Sequence, residues 1–261
     1  MSCKDESLFH YSDIGAIASI IKNKKLWLTN IGFLNDYEEM VEGVRCILNQ
    51  SKKYDFSECS YIAENFSKGF LMGVLGSLSA DMDSFIFTCS FSRASNLLSQ
   101  WRGYGNFAVE FSRKSIEIEH SLVECVYTQV KKNRVAKQLI GEVVGEFRNW
   151  NQESYGEYQY DPAIAKLRIG AAAFKNRHFE AEHEVRLIVS GADVKSSVLH
   201  RSRGNYLVPY IELPIGSESI SAIHIGPIAD QSLAERSLKS LLRSCDMGHI
   251  PIYKSNIPYR A

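Results

Sequence analysis

No Cys-x-x-Cys pair occurs among the six cysteines, Cys3, Cys46, Cys59, Cys89, Cys125 and Cys245. Scattered thiols in a chain of 261 residues read as reduced cysteines of a cytoplasm, and they speak against a disulfide scaffold or a cysteine zinc site. Nor is any apolar run long enough to span a bilayer. Met1 to Glu6 lacks the charged-then-apolar layout of a signal peptide. A cytoplasmic protein with no membrane partner is therefore expected. Net charge is absent as well, with 30 Lys plus Arg against 30 Asp plus Glu, so no global basic surface advertises nucleic acid, although a local basic groove stays open. Gly-x-Ser-x-Gly elbows, His-Glu-x-x-His helices, and Walker or Rossmann loops are all missing, and this removes the best-marked hydrolase, zinc-peptidase and nucleotide-loop classes. His178 and His183 lie five apart, the wrong spacing for a zinc helix, so no metal is expected. There is no internal repeat and no low-complexity linker.

What is present is an ordinary globular composition, 45% hydrophobic with 11% aromatic residues, in a chain long enough to bury a substantial core. Leu8-Phe9-His10-Tyr11 reads as a short strand. Ser12 is a good N-cap, and Ile14, Ile17, Ala18 and Ile21 then trace one face of a helix. Leu26 to Thr29 is a second strand; Asn30 to Glu39, with Asn35-Asp36, is a polar loop opening a helix through Leu48. Ile62, Phe66, Phe70 and Leu75 suggest a helix that Gly69, Gly73 and Gly76 weaken. Phe85 to Ser92 alternates as a strand and Phe107 to Phe111 is another, joined by a short helical crossover or loop in which Trp101-Arg102-Gly103-Tyr104-Gly105 marks a turn that brings backbone and aromatic surface together.

Further on, Leu122 to Val130 is strand-like, and Val135, Leu139, Val143, Phe147 and Trp150 trace a helix stripe. Pro162 opens another helix. Tyr206 to Leu213 and Ile220 to Ile225 are strands, Gln231 to Ser244 is a helix, and Ile250 to Tyr253 closes the series. The expected class is α+β: a single domain over 1–261, with residues 40–84 and 131–177 as mostly helical insertions.

Phe179 to Val189 is the stretch with chemistry in it. Glu180, Glu182 and Glu184 occupy every second position before the apolar run Val185 to Val189. In an extended chain all three point the same way, and like charges on one face repel. The row is then either a solvated sheet edge or an anion-rich site that wants a cation. Arg102 and Arg186 are candidates to clamp a pyrophosphate in a guanidinium fork, or else salt-bridge partners. Tyr104 and Trp101 are either a stacking platform or core aromatics. His10 ends a strand just before a helix, where backbone N–H and C=O groups face any ligand in a cleft.

Three pieces together resemble a bacterial family known only as domain of unknown function 2971. They are Leu26-Trp27-Leu28-Thr29-Asn30 with Asn35-Asp36, then Leu98 to Gly105, then Glu182-His183-Glu184-Val185-Arg186-Leu187. Ile225-Gly226-Pro227 and Ile257-Pro258-Tyr259-Arg260 fit it too, so the likeness covers nearly the whole chain. That family name carries no activity. More distantly, Leu8-Phe9-His10-Tyr11-Ser12, the helix after it and Lys25-Leu26-Trp27 resemble the opening of ADP-ribosyltransferase folds of the DNA-modifying toxin type. Ser12 stands where those folds have threonine, and no glycine precedes Leu26. Glu182-x-Glu184 is similar to the Glu-x-Glu of some branches.

The second resemblance implies a pair of small β-sheets with inserted helices and NAD as substrate. It implies transfer of one ADP-ribose to a nucleic-acid or protein acceptor, as in a defence or toxin effector. Glu184 would be the carboxylate beside the reacting ribose, with Glu182 as second choice or as the base for the acceptor. His10 would hold a ribose hydroxyl, the backbone at Tyr11 and Ser12 the nicotinamide amide, Arg102 the pyrophosphate, and Tyr104 would be an aromatic wall. The alternatives are an inactive ligand- or partner-sensing module on the same fold, or a glycohydrolase of NAD or another nucleotide.

Overall fold

Short runs of alternating β-branched and aromatic residues become strands wherever one face can be buried. The computed structural model describes residues 6–34, 37–80, 86–148, 161–190 and 197–258. Its strands are β1 (Ser7–Ser12), β2 (Lys25–Asn30), β3 (Ile86–Ser92), β4 (Phe107–Ser112), β5 (Leu122–Glu124), β6 (Glu184–Ser190), β7 (Leu199–Arg203), β8 (Tyr206–Pro214), β9 (Ile220–Ile225) and β10 (Ile252–Lys254). Its α-helices are α1 (Ile14–Asn23), α2 (Tyr37–Ser51), α3 (Tyr61–Ala80), α4 (Leu98–Tyr104), α5 (Arg113–Glu119), α6 (Gln129–Phe147), α7 (Asp161–Ala172) and α8 (Gln231–Ser244). The α+β class holds. The ten strands are hydrogen-bonded into one mixed sheet, where the resemblance implied a pair.

The spatial order is β10-β9-β4-β1-β3-β2-β8-β7, with β6 and β5 branching from β3. The branch at β3 organises the molecule. One edge of β3 is fully taken by β6, from Ile86↔Ser190 to Ser92↔Glu184. A strand has only two edges, so β1 and β2 must share the other. They meet it at opposite ends: β1 through Phe9↔Ser92 alone, β2 through Thr29↔Thr88 and Asn30↔Phe87. Between those points Cys89, Ser90 and Phe91 have no strand on that edge. From His10 to Ser12, β1 pairs only with β4, and from Lys25 to Leu28, β2 pairs only with β8. The sheet therefore opens as a V, closed at its wide end by α1.

Alternation along the strands sorts the cores. Phe87, Cys89 and Phe91 of β3, with Val185 and Leu187 of β6, pack with Leu26, Leu28, Val109 and Phe111 beneath α1 and α8. Ile86 and Ile188 point the other way, into a cluster built from α2, α3, α6 and α7. Trp101 of α4 packs separately with Phe9, Tyr11 and Ala108.

Several expectations need correction. Asp13, not Ser12, caps α1: its Oδ1 accepts the Ala16 N–H at 2.9 Å. The three glycines do not break α3: burial of Ala63, Leu71, Leu75 and Leu78 on one side offsets the propensity cost of Gly69, Gly73 and Gly76, which face open space on the other. Leu122 to Val130 keeps only the three residues of β5 as strand, since Gln129 already begins α6. β7, with its sequence Leu-His-Arg-Ser-Arg, had no apolar alternation to betray it; pairing with β8 makes it a strand. Asn35, Asp36, Phe85, Trp150, Tyr259 and Arg260 lie outside the described residues. Among the described residues no helix is long and apolar enough to cross a membrane.

Candidate functional site

The V of the sheet is a cleft of about 650 Å³. His10, Tyr11, Ser12, Tyr104, Glu182 and Glu184 all line it, brought together from positions as far apart as β1 and β6. Arg102 does not line it and is exposed. The N-terminal turn of α1 forms part of the same wall through Asp13, Gly15 and Ala16.

His10 stands where β1 leaves β3. Its Nδ1 lies 2.9 Å from the carbonyl oxygen of Ser90, one of the β3 groups that no strand satisfies on this edge. A carbonyl only accepts, so Nδ1 carries the proton and Nε2 is left as an acceptor. Burial holds the imidazole pKa below its ordinary value, so the neutral ring persists at neutral pH. Cys89 Sγ lies 3.5 Å from the same Nδ1, but burial pushes that thiol up to about 12, so it is no ready nucleophile.

The aromatic wall is settled by burial. Trp101 is 2% exposed, edge-on to Tyr11 at 4.5 Å, and its indole N–H donates to Asn96 at 2.9 Å; it is a core residue. Tyr104 is 44% exposed and belongs to the cleft. The chain leaves α4 through Gly105 at φ 134°, and a Cβ there would sit 2.3 Å from the Ser12 carbonyl oxygen. Only glycine admits both that dihedral and that approach. The close approach at this residue is of backbone to backbone, Gly105 against Ser12 and Asp13, and not of backbone to an aromatic surface.

The carboxylate row is not a single extended face. Arg177–Glu182 is a 3-10 turn, and His183 takes the left-handed conformation at φ 44°, so β6 starts only at Glu184. Glu180 falls on the partly exposed side, 4.0 Å from Arg177. Glu182 and Glu184 are turned inward, 7% and 5% exposed. The cation they need comes from the protein itself. Lys175, fully buried, has its ammonium 2.8 Å from Glu182 Oε2 and pairs with Glu184 Oε2. Arg186, also buried, places Nε 2.6 Å from Glu184 Oε1 and donates from Nη1 to the Ala172 carbonyl at 2.7 Å. Burial raises the pKa of Glu184, but the charges of Arg186 and Lys175 outweigh it and hold the carboxyl at about 2.

Arg186 is thus committed to Glu184 and is not a free pyrophosphate clamp. Glu184 spends both oxygens on ion pairs. Glu182 Oε1 has no partner among the described residues. The turn that presents Glu182 is tied to β3, since Ser92 Oγ donates to the Glu182 carbonyl at 2.6 Å. Tyr127 Oη accepts the Glu184 N–H at 2.7 Å, which fixes the start of β6. Lys175 escaped sequence reasoning because a lone lysine after Ala171-Ala172-Ala173-Phe174 carries no spacing signal.

The opposite wall was missed entirely. Arg201 and Arg203 of β7 line the cleft with Lys25, Trp27 and Thr29 of β2. Arg201 Nη2 donates to Thr29 Oγ1 at 2.9 Å, and its guanidinium lies 5.2 Å from the Trp27 ring centre and 5.6 Å from that of Tyr210. Burial lowers its pKa, and the neighbouring Arg203 lowers it further. Lys25 is paired with Glu212 at 2.6 Å.

No family model, no curated protein and no solved structure matches the chain.

Proposed function

We propose that the protein is an NAD-dependent mono-ADP-ribosyltransferase-like enzyme, with nicotinamide released from NAD and ADP-ribose passed to an acceptor that is a nucleobase, a protein side chain or water. The observation that carries this reading is the split sheet edge, which sets the neutral imidazole of His10 and the half-free carboxylate of Glu182 in one cleft of about 650 Å³. Such a volume suits a nucleotide-sized ligand. The likeness of the β1–α1–β2 opening and of Glu182-x-Glu184 to ADP-ribosyltransferase folds of the toxin type supports it.

The chemistry breaks the bond between the ribose C1′ and the nicotinamide nitrogen, and the electron pair leaves with nicotinamide. The ribose becomes oxocarbenium-like, and a fixed carboxylate beside it stabilises the developing charge. On this reading the two glutamates take the reverse of the roles expected from the sequence, and their ion pairs support it. Glu182, with Oε1 unspent, is the carboxylate for the ribose; Glu184 is a positioning residue that holds Lys175 and Arg186, and Lys175 in turn holds Glu182. His10 Nε2 accepts a ribose hydroxyl. The inner edge of β1 beyond Phe9 offers backbone groups at Tyr11 and Ser12 to the nicotinamide carboxamide, and Tyr104 flanks the ring.

One observation favours a second reading, an inactive module that senses a ligand or partner: a four-charge cluster that cancels itself serves stability as well as catalysis. Nicotinamide release from NAD by wild type, Glu182→Gln and Glu184→Gln, with and without DNA, RNA and cell extract, separates the two. Release by wild type that Glu182→Gln abolishes supports the enzyme. Absence of release under every condition rejects it in favour of the module.

A further inference from the structure

We propose that Arg201 and Arg203 form a phosphate-binding subsite that takes the phosphoryl groups of a nucleotide lying in the cleft. The proposal rests on the nucleotide reading of that cleft and names the part of the ligand this wall receives.

The charges of the cleft decide it. Glu182 and Glu184 are neutralised by Lys175 and Arg186. Lys25 is neutralised by Glu212. Asp13 uses Oδ1 to cap α1 and acts on Arg201 only at a distance. What is left is two guanidinium groups without a carboxylate partner among the described residues. A half-buried cation whose solvation is reduced is costly unless an anion meets it.

Their placement is built for that anion. Two apart on β7, the arginines share a face of the strand. Arg201 is oriented by Thr29 and lies against the rings of Trp27 and Tyr210, so its fork is held before a ligand arrives. Arg203 Nη1 reaches the Phe33 carbonyl at 3.5 Å, which leaves its other N–H groups for a ligand. Guanidinium binds phosphate through two parallel N–H···O bonds, a geometry lysine cannot copy. Arg102, the residue expected from sequence to contact pyrophosphate, lies outside the cleft and serves as the internal control.

Calorimetric titration of the full chain with inorganic pyrophosphate, ADP and adenosine tests this, with nicotinamide release measured on the same preparations. Pyrophosphate and ADP are expected to bind, and adenosine to bind more weakly than ADP. Arg201→Gln and Arg203→Gln should each weaken pyrophosphate about tenfold or more. Arg102→Gln should bind it as wild type does. Arg203 is exposed, so its variant keeps the test alive if Arg201→Gln unfolds. No pyrophosphate binding by wild type, or equal binding by both cleft variants, overturns the subsite. Arginine-dependent binding in a chain that releases no nicotinamide upholds the subsite and counts against the transferase. Release undiminished in both variants, without pyrophosphate binding, overturns the subsite and leaves the transferase standing.

Discussion

At the β6 end of the cleft four buried charges satisfy one another; at the β7 end two arginines face the cavity and, among the described residues, no carboxylate meets them. The two ends use the same residue types under opposite conditions. Where Lys175 and Arg186 are wholly buried, each needs a partner in the protein, and Glu182 and Glu184 supply it. Where Arg201 is only half-buried, water can cover for a missing anion, and the site keeps its positive charge available. Buried arginine is thus a structural part of β6, and partly solvated arginine is a binding part of β7.

The comparison breaks most visibly at Lys175. Lys175→Met leaves two buried carboxylates with Arg186 alone, and a loss of about 3–5 kcal/mol is expected in urea unfolding. A loss under about 1 kcal/mol would mean the network is not what holds the start of β6. Acid sharpens the same end. Glu184 titrates at about 2 in the fold against an ordinary 4.5, so its contribution is complete above about pH 4.5 and is lost as pH falls through about 2. That contribution is on the order of 3 kcal/mol at neutral pH. The stability of Glu184→Gln should vary less with pH over this range; an unchanged pH dependence would contradict the pairing.

Gly105→Ala touches the point where the end of α4 meets the end of β1. At φ 134° and 2.3 Å from the Ser12 carbonyl, the new methyl should cost about 1–3 kcal/mol in thermal unfolding. Retention of full stability there would show that α4 is free to shift away from β1. The smallest effect belongs to the β7 end: Arg201→Gln should change stability by no more than about 1 kcal/mol, because relief of a half-buried charge offsets the lost bond to Thr29 and the lost ring contacts. A cost of 2 kcal/mol or more would make Arg201 as structural as Arg186 and erase the contrast.

Much of the fold was legible in the chain. β1, β2, β3, β8 and β9 are short runs rich in apolar, β-branched and aromatic residues, and α8 spans Gln231–Ser244 as its periodicity predicts. α3 was harder, because the glycines' propensity cost is visible in the chain while the burial that overrides it is not. Of the site, the residues around His10 and Glu182-x-Glu184 stood out by type, but their relation did not. Glutamates at every second position imply one face only if the chain is extended, and the left-handed turn at His183 removes that premise.

By itself the sequence determined the strand and helix segments, the charges available and the residues with chemistry to offer, because periodicity and side-chain type act over a few neighbours. Only the tertiary structure decided that β1 and β2 share one edge of β3 and so open a cleft. It alone chose Lys175 to neutralise the glutamates, and among the described residues it left Arg201 and Arg203 without a carboxylate partner on the far wall. Charge pairing depends on which groups burial brings within a few ångström, and that is a property of the packed sheet, not of spacing along the chain.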